Sequence, residues 1–167
     1  MYIRNEDTIC APATVPGTGA ISVIRVSGPE ALNIADKLVT CRKGSIGESN
    51  GYSLKYGIIY NTLNICKSDN CNHERQIVDE VLVSVFKAPH SYTGENSVEI
   101  SCHASSYIVS TILDLLYLAG ARAAEPGEFT QRAYLNGKMD LAQAEAVADV
   151  IASQNAAAHR VAFKQMK

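Results

Sequence analysis

Three side chains in this sequence have types and settings that suit chemistry. Arg25 lies in the β-branched run Ala20 to Val26, "AISVIRV". It alternates in step with Ile21 and Val23, so a period of two directs it inward, where an arginine needs a partner. A structural ion pair and a clamp for an anionic ligand both fit. Glu99 alternates against Val98 and Ile100, on the face of Ser97 and Ser101. It is either part of a solvated strand face or an acceptor for the donor-rich edge of a ligand. The preceding "KAPHSYTGENS" is a polar loop of the kind that often carries ligand contacts. Lys138 follows Asn136-Gly137 in the short connection between a helix over Glu128 to Leu135 and a second helix.

A glycine followed by a lysine invites comparison with a phosphate-binding loop, and the comparison fails. Such a loop needs Gly-x4-Gly-Lys-Ser/Thr, so that backbone N–H groups cradle the phosphates and a hydroxyl binds magnesium. Here Arg132 takes the place of the first glycine and Met139 that of the hydroxyl. Gly17 and Gly19 precede a strand, whereas the glycines of a dinucleotide loop follow a strand and open a helix. Cys66-x4-Cys71-x-His73 offers three zinc ligands without a fourth, so an ordinary loop remains the alternative. Cys102 and His103 are adjacent, and neighbours in a strand point to opposite faces, which argues against a nucleophile–base pair.

These residues are positioned by mixed elements. Beyond the first strand, strands are expected over Tyr52 to Tyr60, Ile77 to Phe86 and Ser97 to Cys102, the middle two as a hairpin with a long polar connection. Ser27 and Glu30 have the spacing of a capping box before a helix carrying Leu32, Ala35 and Leu38. A further helix is expected over Ser105 to Ala119, stopped by Gly120. Asp140 with Gln143 signals another helix start, and an alanine-rich pattern continues nearly to Lys167. Read as one helix it would run about 40 Å, with a narrow apolar stripe and no partner helix. Elements that mix without strict alternation give an α+β class.

Composition narrows the field. The 167 residues suit one domain with an appendage; 47% are hydrophobic and the mean hydropathy is -0.02, as in a soluble protein with a core. A net charge of -2 without a basic stripe gives no direct nucleic-acid signal. The polar start "MYIRNEDTIC" is not a signal peptide, and the apolar run Tyr107 to Ala119 is too short for a bilayer. Five cysteines in unrelated settings point to a reducing cytoplasm, not to a disulfide framework.

Three stretches, and the order in which they fall, identify a family. "DTICAPATVPGTGAISVIRVSG", "HSYTGENSVEISCH" and "GARAAEPGEFTQRAYLNGKMDLAQAEAVADVI" resemble the N-terminal part of the bacterial tRNA modification GTPases of the MnmE (TrmE) family. The resemblance implies an α+β domain over residues 1–138, with a mixed sheet and packed helices, similar to the folate-binding domain of glycine-cleavage T-protein. It implies a homodimer that binds 5-formyltetrahydrofolate or another tetrahydrofolate. Residues 139–167 would begin a helical domain, into which the family inserts a GTPase domain whose motifs are not in this sequence. GTP, Mg and K would belong there, which leaves enzymatic activity of these residues uncertain. With the flavoprotein MnmG, the family adds aminomethyl or carboxymethylaminomethyl groups to C5 of the wobble uridine of tRNA. The folate contacts carry over onto Arg25, Glu99 and Lys138, with no catalytic and no metal residue implied. Ala104 and Ser105 stand where members more usually have Gly-Gly, and Thr18 where many have a basic residue. A dimerisation scaffold with an incomplete folate site is the alternative.

Overall fold

The computed structural model describes residues 6–17, 19–61, 76–153 and 155–165. Thr18, Cys66, Cys71 and His73 lie outside these residues, so the zinc expectation is not addressed by the structure. Among the described residues, seven strands form one mixed sheet: β1 (Ile9–Pro12), β2 (Ile21–Ser27), β3 (Val39–Cys41), β4 (Ser53–Tyr60), β5 (Ile77–Phe86), β6 (Ser97–His103) and β7 (Arg122–Ala123). Their order is β3-β4-β5-β6-β2-β1-β7, antiparallel throughout except for the parallel β1–β7 pair. Five helices among the described residues complete the α+β fold: α1 (Ala31–Leu38), α2 (Ser106–Leu118), α3 (Glu128–Leu135), α4 (Leu141–Ala152) and α5 (Ala156–Gln165).

The core lies on one face of the sheet. Ile24 of β2, Val83 of β5 and Ile100 of β6 are in register and fully buried, under Ala35 of α1 and Ile112 and Leu116 of α2. This corrects the expectation for Arg25. Ser22, Ile24 and Val26 face the core, so Ile21, Val23 and Arg25 take the other face, with Ile21 66% exposed. Both alternating sets of this strand are β-branched, so local hydrophobicity does not choose between them.

The hairpin of β4 and β5 forms as expected, and α2 ends before Gly120, whose φ of 108° suits only glycine well. The capping box proposed at Ser27 does not form. The Ser27 hydroxyl lies 2.7 Å from Thr93 Oγ1 and donates to Glu95 at 2.7 Å, while the Glu30 N–H donates to Thr8. The cap's acceptor is replaced by Thr8, and the Ser27 hydroxyl faces a distant loop, where it donates to a carboxylate. At Asp140 the capping box is complete: the Gln143 N–H donates to Asp140 at 2.8 Å and the Asp140 N–H donates to Gln143 at 2.8 Å.

The expected single tail helix is two helices. The chain turns extended at Ser153 (ψ 124°), and Asn155 Oδ1 accepts the N–H groups of Ala157 and Ala158, restarting the helix as α5. α5 packs back against α4, which buries Ala146 and Ala162. The stripe itself stays uncovered by α5: Leu141 and Ile151 are 58% and 80% exposed, and with Ala144 and Ala148 they line an open cleft beside α3.

Candidate functional site

Arg25 and Glu99 are register partners across the β2–β6 ladder. Arg25 Nη2 and Nε donate to the same carboxylate oxygen at 2.8 and 3.0 Å, and the side chains are 24% and 28% exposed. Two aromatic rings lie against the guanidinium: Tyr92 from the loop over residues 87–96, with the Arg25 carbon 5.0 Å from its centroid, and Phe129 of α3, at 5.5 Å. The Tyr92 hydroxyl lies 2.9 Å from the Thr130 hydroxyl, which ties the loop to α3. A guanidinium between aromatic faces keeps its charge and its plane in one orientation.

Lys138 is not in direct contact with this pair. Its Nζ donates to the Pro89 carbonyl at 3.0 Å, and its own N–H closes α3 by donating to Ala133 at 2.9 Å. Its aliphatic stem runs beside Gly94, a residue at φ +80°, where an added Cβ would stand 3.2 Å from Lys138 Cγ and 3.1 Å from Asn136 Cβ. Gly94 thus serves both the left-handed turn and the close approach of the lysine. The same loop carries Tyr92 to Arg25 and Pro89 to Lys138, so it bridges the three residues singled out from the sequence.

A charged cluster that sequence reasoning passed over anchors the far side of the loop. Arg132 of α3 is fully buried. It donates to Asp7 at 2.6 Å, to Glu128 at 3.1 Å and to Glu95 at 3.2 Å. Arg122 donates to Asp7 at 2.6 Å and to Glu128 at 2.5 Å. Three carboxylates thus meet two guanidinium groups. Burial pushes the Glu128 carboxyl up, but hydrogen bonds from Arg122, the Glu125 N–H and Arg132 outweigh it and bring it down to about 2. The hydrogen bond from Arg122 holds Asp7 below the usual carboxylate range, against burial and with help from Arg132. Arg122 is raised in turn by its bonds to Glu128 and Asp7. The Glu128–Arg132 spacing of four was a readable helix pair; the remaining members had no local signal.

The other sequence candidates separate. Cys102 is buried in the core and burial pushes its thiol up to about 11, so it is a poor nucleophile. His103 points away, and its Nδ1 lies 2.7 Å from the buried Asp79 carboxylate. A cavity of about 510 Å³ opens between the β1–β2 turn and the start of α2, lined by Pro12, Val15, Ile21, Val109 and Leu113. None of Arg25, Glu99 and Lys138 lines it. Among the described residues no three His, Cys, Asp or Glu side chains gather as a metal site, and no helix is long and apolar enough to cross a membrane.

Comparison with known proteins bears on this arrangement. Residues 8–138, which contain Arg25, Glu99, Lys138 and the loop that bridges them, match the family model described as "GTP-binding protein TrmE N-terminus". The chain is 54% identical over 165 residues to the tRNA modification GTPase MnmE of Bacteroides fragilis, covering 98% of this chain and 33% of that protein. The identity is also 54% over 165 residues, with the same coverage, for the protein of that name from Bacteroides thetaiotaomicron. It is 47% over 169 residues for that from Porphyromonas gingivalis, covering all of this chain and 33% of that protein. The chain spans about a third of the length of these relatives. The match across 8–138 and these identities place the chain in the family of the TrmE N-terminus, the N-terminal region of the tRNA modification GTPases MnmE.

Proposed function

We propose that this chain is the tetrahydrofolate-binding and dimerisation module of a tRNA modification GTPase. Residues 1–138 form the module and 139–167 begin a helical domain. The observation that carries the reading is the Arg25–Glu99 pair: half-buried, aligned by register and flanked by two aromatic rings. Its donor set fits a reduced folate. The pterin edge shows an amino group and a ring N–H, which a carboxylate accepts together. The glutamate tail carries carboxylates that suit Arg25 or Lys138. Bound there, the folate would supply the one-carbon unit. Glu99 would orient the pterin edge, and the two basic side chains would hold the tail.

In the whole protein the proposed partners are the flavoprotein MnmG and tRNA, and the proposed product is an aminomethyl or carboxymethylaminomethyl group at C5 of the wobble uridine. The proposed compartment is the cytoplasm. The proposed assembly is a homodimer. The sheet face opposite α1 and α2 supports it: Tyr56 pairs in register with the 43% exposed Leu82, and the 62% exposed Leu54 pairs with Ser84 beside it. Exposed leucines on an open sheet face suit an isologous contact, in which the same surface meets itself across a two-fold axis.

Calorimetric titration with 5-formyltetrahydrofolate tests the reading. Glu99→Ala should weaken binding roughly ten- to hundredfold, as expected for a lost charge-assisted hydrogen bond of ~1.5–3 kcal/mol. Unchanged affinity removes Glu99 from the site. One observation favours a second reading, a dimerisation scaffold with an incomplete site: Arg25 and Glu99 satisfy one another, and Lys138 bonds to Pro89 instead of joining them. A dimer that takes up no folate would select it.

A further inference from the structure

The loop over residues 87–96 has to be held if it is to present Tyr92 to Arg25 and Pro89 to Lys138. Its hold comes from below. Glu95, only 11% exposed, accepts from the fully buried Arg132 through both carboxylate oxygens, at 3.2 and 3.4 Å. The same carboxylate accepts from the Ser27 hydroxyl at 2.7 Å, two residues beyond Arg25 on β2. The Glu95 carbonyl accepts from Ser91 at 2.6 Å, and the Thr93 carbonyl accepts from the Asn136 side chain at 2.7 Å. Asn136 closes α3 two residues before Lys138. Arg132 lies in α3 itself and also donates to the Asp7 carbonyl at 2.8 Å. The Glu95 side chain, held by Arg132, therefore gathers the strand end that bears Arg25, the loop that bears Tyr92 and the helix that leads into Lys138.

A buried ionic cluster adds little net stability over an apolar one of the same volume, because desolvation offsets the attraction. Its better attested effect is to select one arrangement among several. We propose that Arg132, acting through Glu95, is a positioning residue for the folate site: it sets loop 87–96 so that Lys138 and the Arg25–Glu99 pair serve one ligand. The inference rests on the folate reading above. Neither residue touches the ligand. The distinguishing mark is that loosening the loop costs affinity through Lys138, whose ammonium is then no longer held at a fixed place.

The test uses the whole chain and Glu95→Gln, which keeps the shape and an acceptor for Ser27 but removes the charge facing Arg132. Arg132→Lys keeps the charge and loses the fork, and should behave alike; Arg132→Ala leaves three carboxylates short of a partner and is avoided. Two readouts are needed. Without ligand, amide exchange over 87–96 should quicken by roughly tenfold in Glu95→Gln while the β5–β6 ladder is unchanged. With 5-formyltetrahydrofolate, Glu95→Gln should weaken binding by roughly tenfold, and the double variant with Lys138→Met should bind no more weakly than Lys138→Met alone. Unchanged exchange in the loop, unchanged affinity, or losses that simply add would each overturn the proposal. If the wild type takes up no folate, that reading fails by itself, and the exchange arm decides the rest: faster exchange upholds the hold of Arg132 and Glu95 on the loop, and unchanged exchange refutes it.

Discussion

Arg25 and Glu99 stand opposite one another in the β2–β6 ladder, and their side chains close at 2.8 Å on the face of the sheet away from the core. At this degree of exposure an ion pair contributes about 0–1 kcal/mol to stability. Arg25→Met is therefore expected to leave the melting temperature nearly unchanged while lowering affinity for 5-formyltetrahydrofolate. Thermal unfolding beside titration checks it. A variant that melts much earlier and binds normally would make the pair structural only.

The charged cluster predicts an acid limit. Glu128 titrates at about 2 in the folded chain, below its ordinary value of 4.5. A depressed carboxylate contributes stability that is fully present above the unfolded value and lost as pH falls through the folded one. Asp7 acts in the same direction. Stability should therefore fall as pH drops from about 4.5 to 2, and Glu128→Gln should flatten that slope. Denaturant midpoints measured across this range would show it. A wild-type curve with no slope below pH 4.5 contradicts the network.

On the open sheet face, Leu82→Asp is expected to shift the protein from dimer to monomer without altering its circular dichroism. Light scattering at micromolar concentrations reads the mass. A wild type that is monomeric throughout removes the homodimer, and a dimeric Leu82→Asp moves it to another face.

The tail hairpin depends on Asn155. Replacing it with alanine removes the acceptor for two N–H groups of α5 and should cost that helix about 0.5–2 kcal/mol. Faster amide exchange confined to residues 156–165, with the sheet unaffected, is the expected result. Equal exchange in both proteins would mean that packing on α4, not the cap, holds α5.

Much of the fold is local and could be read directly. β5 and α3 have the bounds that alternation and helix signals indicate, and the Asp140 capping box forms because its two partners are three residues apart. The match of three stretches to one family also resides in the sequence alone, and the family model covers 8–138. Other features were settled only by residues distant in the chain. Which face of β2 is buried depended on the helices that cover it, because Ile21, Val23, Ile24 and Val26 are equally suited to a core. β1 and β7 are too short to announce themselves and exist through pairing with one another and with β2. Ser27 forsook a nearby helix end for Glu95, 68 residues on. Asn155 was a legible cap, but the alanine pattern running through it hid the break. The cluster of Asp7, Glu95, Glu128, Arg122 and Arg132 had only one local pair, since charge attraction acts on distance in space. Arg25 and Glu99 were nameable one by one; only the placement of β6 beside β2 made them neighbours, because a sheet's order is decided by which strands pair and not by what each strand contains.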